Sequence, residues 1–568
     1  MRLKIVKSKN AASFYVQKTV YKDGKQKTLI VEKLGTYASL LDKLNGADPY
    51  EWAKNHVDEL NRIEKEEIQA DIQINLSPIK KIKFGEKRLF NGGFIFLSRL
   101  YKALGLSKLC KKISKKYKFK YDLDSILSRL IYSRIIFPCS KLGTFEISKR
   151  FIENPNFELQ HIYRALDVLE KESDYIKSAV YENSLNISKR DTKVLYYDCT
   201  NFYFEMEQES DIRQYGCSKE HRPNPIVQMG LFMDGSGIPL SYCINPGNDN
   251  EQTTMEPLEK KILSDFGISK FIVCTDAGLS SEANRKLNSK DERAFITTQP
   301  IKKLKSYIKE WCLNIDGWHI DGSEKTYNIN EINDEEYKDT VFHKERWIKE
   351  NGFEQRLIVT YSVKYRDYMR ALRENQISRA KKLIETNPAK VKRRSGTDYK
   401  RFINGTSYTE SGEIAEKTAY TIDYKMADDE AMYDGFYAVC TNIEDETTEI
   451  IKINKRRWEI EESFRIMKTE FKSRPVYLSN EQRVRAHFLT CFLALLVFRL
   501  LEKKLGEEYT CEQIISALKE YNFLEIRNKG YVPAYEGLEI NNKLHDVFGF
   551  HNDSEFITYE QMNRVIKN

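Results

Sequence analysis

Two periodicities of apolar and polar positions divide the chain. Between residues 88 and 190, apolar side chains recur at three- and four-residue spacing in FIFLSRLYKALGL, LDSILSRLIYSRII and LQHIYRALDVLEKE, which predicts amphipathic helices. From residue 193 onward, short apolar runs bounded by Gly, Asp and Asn predict strands in KVLYYDCT, PIVQMGLFMDGSGIPLSYCINPG, KFIVCTDAG and AFITTQPI. Helical patterns in TTMEPLEKKILSDFG and SSEANRKLNS separate the later strands, so a mixed α/β protein is predicted.

Three adjacent strands followed by helix, strand, helix and strand is the order typical of an RNase H-like α/β core. We predict the first part of that core at 191–301 and its second part, with C-terminal helices, at 449–568. Residues 302–448 between them predict a β-rich insertion. Residues 1–75 predict a β-rich N-terminal region with a hairpin at Asp23-Gly24, and 76–190 a helical region.

The most apolar run, FLTCFLALLVFRLL at 488–501, is shorter than the ~20 residues that span a bilayer, and it contains Arg499. It predicts a buried core helix and no membrane partner. Ten cysteines without a C-x-x-C pair favour reduced thiols, as in a cytosol. The formal charge of +8, from 92 basic and 84 acidic residues, permits a polyanionic partner without requiring one.

Two segments concentrate positive charge. Residues 107–120, SKLCKKISKKYKFK, carry seven lysines and no acid, which suits either a nucleic-acid contact or an ordinary exposed basic loop. Residues 363–401 carry 13 basic and 4 acidic side chains. This second segment is the preferred DNA-contacting stretch of the insertion, through Lys392, Arg393 and Arg394.

Two predicted strands lead directly into aspartates. Asp198 ends the strand in YYDCT, and Asp276 ends the strand in FIVCTDAG. An ionised carboxylate beside such apolar runs is costly unless it is paired, lies at the edge of a sheet or binds a metal. Open α/β sheets place their sites at the strand ends, so both carboxylates are expected at one edge. The alternative for each aspartate is a helix N-cap or turn residue.

The segment NKRRWEIEESFRIMKTEF, residues 454–471, predicts one amphipathic helix. Its apolar stripe, expected to pack on the sheet, comprises Ile460, Phe464, Met467 and Phe471. At about 100° per residue, Arg457, Glu461 and Lys468 fall within a narrow arc at the border of that stripe, whereas Glu459 and Glu462 point elsewhere. The alternative for Glu461 is an i,i+4 ion pair with Arg457, worth only ~0.3–0.5 kcal/mol.

Asp198, Asp276 and Glu461 together are the candidate catalytic residues and metal ligands. Three carboxylates can hold two divalent ions ~3.5–4 Å apart for an in-line phosphoryl displacement. Ligand sets made only of oxygen suit Mg²⁺. Arg457 and Lys468 would bind adjacent phosphates. The residues by themselves therefore support a metal-dependent phosphoryl-transfer site with basic surroundings.

The chain resembles DDE transposases of bacterial insertion sequences, in the long-chain branch of the insertion sequence 4 group. The signature of that group is Tyr, two residues, Arg, three residues, Glu, six residues and Lys. It falls on Asn454, Arg457, Glu461 and Lys468, with asparagine in place of the tyrosine. YYDCT and CTDAG are similar to the two aspartate blocks of the family. PCSKLGT at 138–144 and AHFLTCFLALL at 486–496 extend the resemblance over most of the chain.

That resemblance implies a transposase that binds the terminal inverted repeats of its element, cleaves the DNA and joins the 3′-hydroxyls to target DNA. It implies two Mg²⁺ ions, replaceable by Mn²⁺, on Asp198, Asp276 and Glu461, with Asn454 and its basic neighbours on the DNA and 76–190 as a DNA-binding region. It also implies a homodimeric synaptic complex in the bacterial cytoplasm, at the nucleoid. Two alternatives are a catalytically silent DNA-binding descendant of a transposase and a structure-selective nuclease.

Overall fold

The structure of the protein is a computed structural model. It describes the chain except at residues 9–10, 23–24, 45–46, 70–73, 75–77, 80, 221, 351, 388–390, 392–395, 397, 409–416, 551 and 568. The chain divides into two compact units, unit 1 (Met1–Ile162 and Leu501–Asn568) and unit 2 (Tyr163–Leu500). The boundaries of the five domains expected from the sequence stay predictions.

Unit 1 combines a three-stranded antiparallel sheet, several helices and a small four-stranded sheet. Its elements, numbered in the order of the whole chain, are β1 (Arg2–Ser8), β2 (Ala11–Lys22), β3 (Lys25–Thr36), α1 (Tyr37–Lys43), α2 (Pro49–Gln69), β4 (Leu89–Asn91), α3 (Phe94–Ala103), α4 (Leu106–Tyr117), α5 (Leu123–Ile136), α6 (Lys141–Ser148), α17 (Cys511–Glu520), β15 (Asn522–Ile526), β16 (Gly530–Pro533), α18 (Glu539–Phe548), β17 (Ile557–Thr558) and α19 (Tyr559–Lys567). The sheets have the orders β1-β2-β3 and β17-β16-β15-β4. The first buries Phe14 together with Leu40 and Ala53 of the helices that follow it.

The lysine-rich segment 107–120 is for the most part helix α4 and not a loop. The helix buries Leu106, Leu109, Cys110 and Ile113, which recur at helical spacing. The seven lysines lie exposed on the remaining surface and in the residues after the helix. An apolar stripe that packs inward thus turns every lysine outward. The nucleic-acid contact of this surface stays a prediction.

Unit 2 is built around an eight-stranded mixed sheet. Its elements are α8 (Ser173–Ser184), β5 (Val194–Tyr203), β6 (Ile226–Asp234), β7 (Pro239–Pro246), α9 (Met255–Phe266), β8 (Ile272–Thr275), α10 (Glu282–Leu287), β9 (Ala294–Thr298), α11 (Ser306–Leu313), β10 (Phe342–Glu350), β11 (Phe353–Tyr361), α12 (Val363–Thr386), β12 (Ile403–Tyr408), β13 (Lys417–Ile422), α13 (Tyr424–Ala431), β14 (Phe436–Thr441), α14 (Thr447–Lys455) and α15 (Trp458–Arg465). Helices α7 (Leu159–Lys171) and α16 (Glu481–Lys504) contain the two boundaries between the units.

The sheet order is β10-β11-β14-β9-β8-β5-β6-β7. β5, β6 and β7 pair antiparallel, and β8 and β9 run parallel to β5. The predicted mixed α/β class is confirmed, and the partial order β7-β6-β5-β8-β9 is consistent with an RNase H-like core. Because β5 lies at the centre, residues on it are covered on both sides.

Residues 302–448 contain both strands and helices. β10, β11 and β14 continue the core sheet by antiparallel pairing beyond β9, and β12 and β13 form a separate hairpin. Helix α12 alone has 24 residues. Its sequence is rich in charged residues and has no clear apolar stripe, so it gives no helical signal. The strand-like runs on either side of it therefore led to the prediction of a β-rich insertion.

α16 corresponds to the most apolar run of the sequence. It is long and apolar enough, by length and composition, to cross a membrane, but 94% of its most apolar window is buried inside the protein. This observation agrees with the prediction of a buried core helix.

Candidate active site

Asp198 lies inside strand β5, the fifth of its ten residues, and not at the end of that strand as the sequence predicted. The strand continues because Cys199 to Tyr203 keep pairing with β6. On its other side, however, the parallel pairing with β8 ends at Tyr196 and Cys274. Asp198 therefore lies on β5 just beyond the end of the neighbouring strand β8.

Asp276 follows directly after β8. The register that pairs Val194 with Ile272 and Tyr196 with Cys274, continued by two more pairs of residues, sets Asp198 beside Asp276. Neighbouring strands are ~4.8 Å apart. The main-chain N–H groups of Gly278 and Leu279 donate to Asp276 Oδ1 at 2.9 and 3.1 Å. Asp276 thus stabilises the turn that follows it, which agrees with the alternative role as a turn residue, and it also lies next to Asp198.

Both aspartates lie on the sheet face covered by α14 and α15. Alternation along β5 sends Tyr197 and Cys199 into the core beside α9 and sends Tyr196 and Thr200 the opposite way. Tyr196 Oη donates to the carbonyl of Ile453 at 2.9 Å, and Lys468 Nζ donates to Thr200 Oγ1 at 2.5 Å. Asp198, between these two positions, is directed to the same side.

Residues 454–471 do not form one straight α-helix. α14 ends at Lys455, α15 begins at Trp458, and Ile466–Glu470 form a π-helical turn. The apolar stripe is confirmed, with Ile460, Phe464, Met467 and Phe471 all buried. A constant 100° per residue does not apply to this segment, because the chain turns before Trp458 and widens after Arg465. Arg457 and Glu461 nevertheless share a face, where they form an ion pair, and Arg457 and Lys468 both lie near Asp198.

Glu461 pairs with Arg457, whose guanidinium Nη1 lies 3.0 Å from Glu461 Oε1. The Glu461 side chain is 54% exposed and the Arg457 side chain 20%. Burial lowers the pKa of Arg457, but the neighbouring Tyr437, Glu461 and Asp198 outweigh it and raise the pKa above its ordinary value. Arg457 therefore lies within electrostatic reach of both Asp198 and Glu461.

The Asp198 carboxyl is ionised less readily than an ordinary aspartate. Burial raises its pKa from 3.8 to about 6, and the negative charge of Asp276 adds to the rise. Lys219, Arg457 and the Cys199 N–H, which donates to Asp198 Oδ1 at 2.8 Å, act in the opposite direction. The site thus concentrates negative charge in a place poor in water.

Lys219 is a residue of this site that the sequence analysis did not single out. It lies in the irregular segment between β5 and β6, and its Nζ donates to the Cys199 carbonyl at 2.5 Å and pairs with Glu251 at 3.3 Å. Lys468 also lies near Asp198, and burial together with the charge of Lys219 lowers the pKa of Lys468 to about 8. Nothing in CSKEHRPNP marks Lys219, because only the fold of that segment brings it to Asp198.

A divalent cation fits the two aspartates. Desolvation and the charge of Asp276 destabilise the ionised form of Asp198, and a cation between the two carboxylates offsets both effects. Within the described part of the chain, no three His, Cys, Asp or Glu side chains lie close enough to hold one ion. Glu461 belongs with Arg457 here, so the observed donor set is the pair Asp198 and Asp276.

The predicted DNA-contacting segment is only partly described. Lys392, Arg393 and Arg394 lie outside the described residues. In the described part of 363–401, the arginines that form ion pairs within the protein include Arg366 with Asp334, Arg373 with Asp434 and Arg401 with Glu430. Of these, Arg366 and Arg373 belong to α12, so part of the positive charge of this helix is used to fix it in unit 2.

Comparison with known families identifies one segment. Residues 360–497 match the family described as "Transposase DDE domain". This quarter of the chain contains Asn454, Arg457, Glu461 and Lys468, and it begins after both aspartates. Comparison with curated proteins gives no match.

Among solved structures, the chain is similar to the piggyBac transposase in a cryo-EM structure of its synaptic complex with hairpin DNA. The match has a TM-score of 0.36 and 7% sequence identity, and it covers 84% of each chain. The resemblance to the insertion sequence 4 group is therefore carried by the sequence motifs alone.

Proposed function

We propose that this protein is a DNA transposase that binds the terminal inverted repeats of its element and catalyses DNA cleavage and strand transfer. The observation that carries the proposal is the position of Asp198 beside Asp276 on the sheet face that α15 covers with Arg457 and Glu461. The match of residues 360–497 to a transposase DDE domain supports it. We place the enzyme in a bacterial cytoplasm.

Asp198 and Asp276 would hold Mg²⁺, or Mn²⁺ in its place, and Glu461 would complete the ligand set after leaving Arg457. When bound, two such ions would activate a water or 3′-hydroxyl and stabilise the leaving oxygen of a phosphodiester. The 54% exposure of Glu461 keeps its ion pair weak, about a few tenths of a kcal/mol, so its release is inexpensive.

Cations around the aspartates would bind and orient the DNA backbone. Lys219, Arg457 and Lys468 reach the Asp198 region from three different elements. Ammonium and guanidinium groups form strong hydrogen bonds with phosphate oxygens. The π-helical turn brings Lys468 to Thr200, so this lysine would contact a phosphate close to Asp198.

A strand-transfer assay tests the proposal. The substrates are labelled duplexes that carry the inverted ends read from the DNA flanking the reading frame, a target plasmid and Mg²⁺. Joined products that disappear with Asp198→Asn support the transposase. Cleavage without joining, independent of the inverted ends, would instead favour the structure-selective nuclease. Binding without any cleavage would favour the silent DNA-binding protein. A dimeric complex with two end duplexes, measured by light scattering, tests the predicted synapsis.

A further inference from the structure

A cavity of about 720 Å³ opens beside Glu461 in unit 2. Tyr365, Tyr437, Asn454, Arg457, Trp458 and Glu461 are among the residues that line it. The wall combines aromatic rings with the Arg457 guanidinium and Lys455, and it also holds Lys364 in an ion pair with Asp339. Such a lining suits a nucleic-acid strand, whose phosphates prefer cations and whose bases and sugars tolerate aromatic surfaces.

The hydroxyl of Tyr437 lies at the centre of a small polar network in this cavity. Its oxygen lies 2.6 Å from Thr298 Oγ1, and Asn454 Nδ2 donates to it at 3.3 Å. Either hydroxyl of this pair can be the donor. When Thr298 donates, the phenol accepts two hydrogen bonds, and its own proton is available to a further acceptor such as a phosphate oxygen.

Arg457 supplies a positive charge near this phenol. Arg457 and Tyr437 line the same cavity, and Asn454, three residues before Arg457, donates to the phenol. Tyr365 packs edge-on against the Tyr437 ring, with centroids 6.4 Å apart and an interplanar angle of 87°, which restrains the ring. A phenolic donor and a guanidinium thus converge beside the carboxylate that Arg457 holds.

We propose that Tyr437, Asn454 and Arg457 form a phosphate-binding subsite that holds a backbone phosphate of the DNA strand next to Glu461. This inference rests on the proposed function and specifies how that site binds its substrate. The phosphate takes the place of Glu461 on the Arg457 guanidinium and accepts the proton of the Tyr437 hydroxyl. Asn454 orients the phenol and does not touch the phosphate. Arrival of DNA therefore releases the Glu461 carboxylate toward the two aspartates.

The test couples changes in the protein to changes in the DNA. End duplexes that carry a single methylphosphonate, which removes one phosphate charge, are scanned by fluorescence anisotropy in EDTA. Wild-type protein is expected to lose about tenfold in affinity at one phosphate near the end, the lower limit for a lost hydrogen bond to a charged group. Tyr437→Phe is expected to bind unmodified DNA about tenfold more weakly and to lose no further affinity at that phosphate.

Three further variants make the result specific. Arg457→Gln is expected to lose sensitivity to the same phosphate, and so is Asn454→Leu, which keeps the subsite testable if Tyr437→Phe fails to fold. Tyr307→Phe removes an exposed hydroxyl elsewhere in unit 2, on a side chain that is 56% exposed, and should keep the wild-type pattern. If each variant and each methylphosphonate reduce the affinity independently at every position, so that their effects multiply, the proposed subsite is wrong.

The readout separates this inference from the proposed function. If Tyr437→Phe removes the sensitivity to one phosphate (coupling) but the protein shows no strand transfer, the subsite is retained and the transposase is rejected. Strand transfer without coupling would reject the subsite alone. A wild-type protein that binds none of the duplexes would reject both.

Discussion

The aspartates and Glu461 are held in the candidate site in two different ways. Asp198 and Asp276 are fixed by strand register and by main-chain N–H groups, and burial makes the charged form of Asp198 unfavourable. Glu461 lies on a helix surface, half-exposed and paired with a single arginine. The aspartate pair is thus held in place and includes one poorly solvated carboxylate, whereas the exposed glutamate has a single weak ion pair to break before it moves. The two aspartates are therefore the stronger candidates to bind a cation. Glu461 is the residue that can most easily change its position when substrate binds.

Loss of the aspartate pair is expected to have the largest effect. Asp198→Asn and Asp276→Asn should each reduce the rate of DNA cleavage by more than the ~10–100-fold that outer-shell changes in metal sites produce. Asp198→Asn removes a poorly solvated charge, so its thermal unfolding temperature should equal or exceed that of the wild type. Cleavage rates and melting curves measure the two quantities. A melting temperature that falls together with activity would assign Asp198 a structural role.

Glu461→Gln tests the movable part of the site. It should also reduce cleavage by about 100-fold or more, because an amide is a poorer ligand for Mg²⁺ than a carboxylate. Glu462→Gln is the matched control, since Glu462 pairs with Arg465 at 2.9 Å on the same helix. Glu459→Gln is a second control, because Glu459 pairs with Arg456. Equal loss in all three variants would show that the choice of Glu461 among the three glutamates is wrong.

The same contrast decides how much of the site could be predicted from sequence. The core strands and the two aspartates could be predicted, because apolar runs that end in a charged residue mark strands near a sheet edge. The pairing of Glu461 with Arg457 followed from their i,i+4 spacing. The position of Lys468 could not be predicted, because a π-helical turn changes the angle per residue without a signal in the sequence.

Long-range contacts account for the rest. Lys219 and Tyr437 reach the site from segments about 20 residues away from Asp198 and Arg457 respectively. Each is an ordinary residue in its local sequence. The fold of the irregular segment between β5 and β6 brings Lys219 close, and the order of strands in the sheet brings Tyr437 close. β14 lies next to β9 although about 140 residues separate them, so no local pattern could place Tyr437 beside Thr298.

The raised pKa of Asp198 predicts a pH dependence of stability in the metal-free protein. Its pKa is about 6 in the folded state against 3.8 ordinarily, so between these values the folded protein keeps a proton that the unfolded chain has released. The free energy of unfolding, relative to Asp198→Asn, should therefore fall as the pH rises through this window and stay level above it. Denaturant titrations in EDTA measure the difference. A difference that increases with pH would contradict the raised pKa.

The smallest expected effect concerns the Arg457–Glu461 ion pair itself. A double-mutant cycle with Arg457→Gln and Glu461→Gln should give a coupling energy of ~0.3–0.5 kcal/mol, as for other exposed i,i+4 pairs. Arg190 and Asp234 offer a buried comparison, with side chains 1% and 0% exposed, where breaking the pair should destabilise by ~3–5 kcal/mol. A coupling near the buried value would hold Glu461 on Arg457 too strongly for a phosphate to displace it. The glutamate would then be as fixed as the aspartates, and the contrast between the two parts of the site would disappear.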